Sequence, residues 1–124
     1  MSKPSEPLID GAPVRRFKNP NYKNVGSNLA ELRLKIDLID SQIIELLAQR
    51  ALCVQDATRF KKDAFQVAAP ARQAQVFERV KSQAEAHLEN FPNFPDIVET
   101  TYRTLVAGFI ASEQLLFQKT EIIK

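Results

Sequence analysis

From Leu29 to about Lys62 the chain has no proline and no glycine, and its apolar residues recur at alternating spacings of three and four. Leu29, Leu32, Ile36, Ile39, Ile43 and Leu46 form the face of a helix meant to be buried against other helices. Asn28, with Glu31 three residues on, is a capping box that fixes where this helix starts. At 1.5 Å per residue the segment predicts a rod of about 50 Å. That is too long for a compact monomer of 124 residues, so the rod is expected to pack against a copy of itself.

The series then breaks its own rule. Its next position is Arg50, followed by Cys53, Ala57 and Phe60. A guanidinium in an apolar seam is costly unless an anion meets it, either a buried carboxylate of the chain or an anionic ligand. The rest of the chain favours the ligand. Cys53, on the same series, reads as a small buried core residue.

Residues 1–28 are organised differently. Pro4, Pro7, Pro13 and Pro20 interrupt any regular element, and the apolar residues show no period. This reads as an extended arm, basic through Arg15, Arg16, Lys18 and Lys23, with Phe17 and Tyr22 able to pin part of it. Residues 29–124 form the helical domain. After a loop over 63–69, Pro70 opens a second helix running to about Leu88, with Val76 and Val80 as its apolar stripe. A turn over Asn90–Pro95 leads into a third helix carrying Val98, Tyr102, Leu105, Val106, Phe109 and Ile110. The fold class is all-α, with three helices of unequal length.

Composition excludes several functions. A net charge of +2 is too mild to imply nucleic acid, and one cysteine gives neither a disulfide framework nor a metal cluster. No apolar run reaches membrane-span length, and no apolar run follows the first lysine as in a secretory signal, so a cytoplasmic location is expected. His87, the only histidine, is expected at the surface. There is no glycine-rich phosphate loop and no nucleophile with a base, and no cofactor is expected. An enzyme built from such residues works by positioning and electrostatics.

Four cations stand out. Arg50 and Lys61 are eleven residues apart, about three helical turns, and so share a face about 16 Å apart along the axis. Arg72, in the first turn of the second helix, can return towards that face. Arg33 lies about 25 Å before Arg50 and a quarter-turn away, too far for the same pocket in one protomer but able to enter a partner's. The third helix adds an acid on an apolar stripe. Glu113 continues Tyr102, Val106 and Phe109, where desolvation favours its neutral form unless a cation meets it. Gln114 beside it can donate without titrating.

These residues carry a resemblance. The stretches Leu32–Asp40, Leu46–Arg50, Arg59-Phe-Lys61, Pro70-Ala-Arg72 and Tyr102–Glu113 resemble the all-helical class of chorismate mutases and their isochorismate pyruvate lyase relatives. The resemblance implies an intertwined homodimer in which Arg33 crosses to the partner's pocket. It implies that Arg50 and Arg72 hold the carboxylates of a small dicarboxylate substrate and that Lys61 reaches its ether oxygen. The family's second donor to that oxygen, a glutamine, falls on Glu113 without a gap and on Gln114 after a one-residue shift; Glu113, on the stripe, is preferred. The implied reaction is a pericyclic shift of chorismate to prephenate, for which loss of Lys61 is expected to cost more turnover than loss of a carboxylate clamp.

Two departures matter. Many of the mutases carry an acid where this chain has Ala69, and the lyase-type members lack it, which keeps isochorismate cleavage to salicylate and pyruvate as the alternative. A glutamate donates only when protonated, so activity is expected to rise as pH falls below about 7, with Glu113→Gln flattening the profile. The alternative of another class is a non-catalytic helical dimerisation module whose basic arm binds an acidic partner.

Overall fold

The computed structural model describes residues 3–124, and among them it contains helices and no strand. Three long helices are present as the sequence predicts: α1 (Leu29–Ala57), α3 (Pro70–Glu85) and α4 (Phe94–Phe117), with a five-residue helix α2 (Ala64–Ala68) between the first two. The chain divides into an N-terminal unit, residues 1–48, and a C-terminal unit, residues 49–124.

In the N-terminal unit the arm has no regular element and leads into a well-capped helix. The Asn28 side-chain oxygen accepts from the Glu31 N–H at 2.9 Å, and the Glu31 carboxylate accepts from the Ser27 N–H at 3.3 Å. That second bond, with Lys35 one turn on, holds the Glu31 carboxyl below its ordinary range. The arm contributes a further cap, since the Ile9 carbonyl accepts from Ala30 N–H at 2.8 Å. Phe17 and Tyr22 stack on each other, with ring centroids 4.5 Å apart. Along α1 the expected seam is exposed within a single chain: Ile36, Ile39 and Ile43 are each about half exposed, from 47% to 55%. The apolar spacing is that of a buried face, yet these side chains are half exposed.

The C-terminal unit closes its own core. Val76 and Val80 of α3 pack with Val106 of α4, and Phe77, Val98, Tyr102 and Ile110 seal the edges. Lys81 of α3 bridges to Asp96 at 3.4 Å and Glu99 at 3.5 Å on α4, and Arg103, paired with Glu99 one turn back on α4 at 3.0 Å, lies over the Phe77 ring of α3. Asn93, before α4, adopts the left-handed conformation that asparagine tolerates, and its carbonyl accepts the N–H of Ile97.

Two boundaries differ from the sequence reading. α1 stops at Ala57 rather than near Lys62 and tightens into a 3-10 turn over Thr58–Phe60. The buried Thr58 hydroxyl donates back to the Val54 carbonyl, a bond that competes with regular helix continuation. The expected loop 63–69 contains α2, whose start is set by Asp63 accepting from Gln66 N–H at 2.9 Å. Asp63 and Gln66 are spaced as in a capping box, the signal in the sequence that marks this helix.

Candidate active site

A cavity of about 320 Å³ lies within the C-terminal unit, a size that suits a small metabolite. The end of α1 gives it Arg50 and Cys53, the connection after α1 gives Lys61, α3 gives Arg72 and Arg79, and α4 gives Phe109 and Glu113. Ala69, between α2 and α3, also lines it, with a left-handed backbone at φ 46°.

Lys61 is the most constrained of these. It follows the 3-10 turn in extended conformation, its N–H held by the Thr58 carbonyl at 3.2 Å. Lys61 is therefore not in helical register with Arg50, because α1 ends at Ala57; the turn and α2 bring it to the cavity instead. Its ammonium donates to the Gln66 carbonyl at 3.1 Å and to Glu113 Oε2 at 3.4 Å. Glu113 is only 5% exposed. The cation that the sequence reading required for a charged carboxylate on this stripe is thus Lys61.

Arg50 meets no carboxylate among the described residues. Its guanidinium lies over the Phe109 ring, 4.9 Å from the centroid. The aromatic face supports the cation while leaving its N–H groups free for an anion. Arg72 is exposed on the cavity wall and has no such carboxylate partner among the described residues. Gln114 turns away: its amide donates to the Ala64 carbonyl at 3.0 Å, tying α4 to the start of α2, and it does not line the cavity. Gln73 lines the cavity and donates to the Ala68 carbonyl at 2.6 Å, bracing the strained Ala69 junction. Arg33 is exposed on α1, in the N-terminal unit.

Cys53 corrects a sequence expectation. It is exposed and lines the cavity rather than filling a core, because α1 turns this part of its face towards the cavity instead of into packed side chains. Arg79 was missed. It stands seven residues, two helical turns, after Arg72, a spacing that repeats one helix face and could have drawn attention to it.

Arg50, Lys61, Arg72 and Arg79 face a single carboxylate, Glu113. Such a lining suits a small compound with two carboxylates and offers it one pinned ammonium beside a carboxyl. The class so defined is a helical protein with a cationic pocket of a size and charge suited to a small polyanion. The chorismate mutase type II family matches residues 32–114, and the chain belongs to that family. The chain is also similar to a bifunctional chorismate mutase/prephenate dehydratase of Pseudomonas aeruginosa, 31% identical over 94 residues. That alignment covers 71% of this chain but 24% of the relative, so the chain spans about a quarter of that protein's length. No solved structure matches the chain.

Proposed function

We propose that this chain is a chorismate mutase acting as a homodimer in the cytoplasm, each pocket completed by Arg33 of the other protomer. The observation that carries the reading is the convergence of Arg50, Lys61, Arg72 and buried Glu113 on one cavity in a chain of this family. The half-exposed Ile36, Ile39 and Ile43 supply the apolar area that a partner helix would cover.

The chemistry asks for no proton transfer and no covalent intermediate. Arg50 and Arg72 bind the two carboxylates and hold the enolpyruvyl side chain over the ring, so the reacting carbons meet without further loss of freedom. Lys61, pinned by the Gln66 carbonyl, donates to the ether oxygen as the C–O bond breaks and negative charge grows there. Glu113, the other polar group beside Lys61, can be a second donor only with a proton on its carboxyl, so Glu113→Gln, which donates without titrating, is expected to hold its activity level across pH.

One observation favours a second reading, isochorismate pyruvate lyase. Ala69 lines the cavity at the position where many of the mutases carry an acid for the ring hydroxyl. Assaying the purified protein with chorismate and isochorismate side by side, at pH 5 and 7.5, separates the two. Prephenate from chorismate is the expected result. Pyruvate and salicylate from isochorismate with little prephenate moves the chain to the lyase branch, and no turnover of either overturns both.

A further inference from the structure

We propose that Arg79 is an additional substrate-recruiting cation of this pocket, drawing a small dianion from solvent to its mouth; the identity of that dianion rests on the function proposed above. The five arginines of the C-terminal unit sort by partner. Arg59 pairs with Asp56 at 2.9 Å and Arg103 with Glu99 at 3.0 Å, and neither lines the cavity. Arg50, Arg72 and Arg79 have no carboxylate within 4.0 Å among the described residues, and all three line it. The C-terminal unit neutralises its other two arginines locally and leaves these three available to an anion.

Arg50 is half-buried over Phe109, whereas Arg72 and Arg79 are both exposed, two turns of α3 or about 10 Å apart along the helix. A dianion is neutralised by Arg50 and Arg72 alone, so Arg79 carries charge in excess of what binding its two carboxylates needs. A surplus cation at the mouth of a concave site raises the local concentration of the anion and its rate of arrival. Such a field is screened within about 10 Å at 0.1 M salt and about 3 Å at 1 M.

Two measurements on the full chain test this. The first is kcat/KM for chorismate in the wild type, Arg79→Gln and Arg79→Lys, across ionic strength. Arg79→Gln is expected to lower kcat/KM about three- to ten-fold at low salt through KM, with the gap closing towards 1 M salt and Arg79→Lys restoring the wild-type value. The second uses Cys53, the only cysteine, as a reporter inside the cavity. Its labelling rate with the doubly negative disulfide 5,5′-dithiobis(2-nitrobenzoate) is divided by that with the neutral methyl methanethiosulfonate. Arg79→Gln should lower this ratio several-fold at low salt.

An unchanged ratio overturns the proposal, as does an unchanged kcat/KM in an active enzyme, or an Arg79→Lys variant as impaired as Arg79→Gln. A merely structural arginine would change both labelling rates alike and leave their ratio intact. If the wild type turns over no chorismate while the ratio still responds to Arg79, the proposed reaction fails and the anion-recruiting role stands.

Discussion

The two units of this chain carry the same kind of apolar spacing and satisfy it differently. In the C-terminal unit Val76, Val80 and Val106 find one another across α3 and α4 and are nearly inaccessible to solvent. In the N-terminal unit Ile36, Ile39 and Ile43 recur just as regularly, yet each remains about half exposed. Periodicity identifies which side chains gain by burial, and it is silent on whether the same chain or another copy provides the cover. The cavity lies wholly in the unit with the closed core, whereas Arg33 belongs to the unit with the open stripe.

The strongest attempt to break this contrast is subunit complementation. Arg33→Ala and Lys61→Ala homodimers should each be nearly inactive, the Lys61 variant by about 3 to 4 kcal/mol of transition-state stabilisation. When the two are unfolded and refolded together, half of the dimers are mixed, and each mixed dimer holds one pocket with both residues intact. About a quarter of wild-type activity should return if the interface is isologous. No return in the mixture would mean that Arg33 does not serve a partner's pocket.

The pH profile of kcat/KM probes the closed unit itself. Glu113 lies against Lys61, its carboxylate oxygen 3.4 Å from the ammonium. If the protonated carboxyl is the second donor, activity climbs towards acid in the wild type and stays level in Glu113→Gln. A wild-type profile that Glu113→Gln leaves unchanged would remove Glu113 from the chemistry. Gln114→Ala makes the useful contrast, since its amide holds the Ala64 carbonyl. Its effect should appear as looser α2 and lower stability, with the slope of the pH profile kept.

Much of this was legible in the sequence, for reasons that vary by residue. Asn28 and Glu31 announced the start of α1 because a capping box acts within four residues. That Glu113 would call for a cation followed from its place on an apolar stripe; that the cation is Lys61 did not. What could not be read was the exit from α1. Nothing marks Thr58 as a stop except its back-bonding hydroxyl and the fresh cap at Asp63, so the helix was extended too far. Lys61 reached the right cavity by the wrong geometry. Cys53 was misjudged because its place on the stripe said that it faced inward, and the inside there is a cavity.

Truncations sharpen the contrast between units at smaller cost. Val106→Ala should lower stability by about 2 kcal/mol at any protein concentration, since its cavity opens inside one chain. Ile43→Ala should lower it in a concentration-dependent way, because the cover it loses would belong to a second copy. Thermal melts over a hundred-fold range of protein concentration distinguish them. Equal concentration dependence of both losses would erase the difference between the two units.

The smallest effect concerns the ion pairs that clasp α3 to α4. The Arg103 guanidinium and then Lys81 hold the Glu99 carboxyl below its ordinary value of 4.5. Glu99, Asp96 and their hydrogen bonds hold Lys81 above its ordinary 10.5. A carboxyl whose affinity for protons falls on folding adds stability above its unfolded value and gives it up as pH drops through the lower, folded one. For Lys81 the sign is reversed: its contribution is present below 10.5 and fades as pH climbs through the higher folded value. The clasp is therefore intact across neutral pH and releases at both extremes. Because Glu99 is half-buried and its partners are more exposed, Glu99→Gln should shift neutral-pH melts only modestly and chiefly flatten the acid limb. A Glu99→Gln protein with an unaltered acid limb would show that the valine core alone joins the two helices, and that the charges merely decorate the contact.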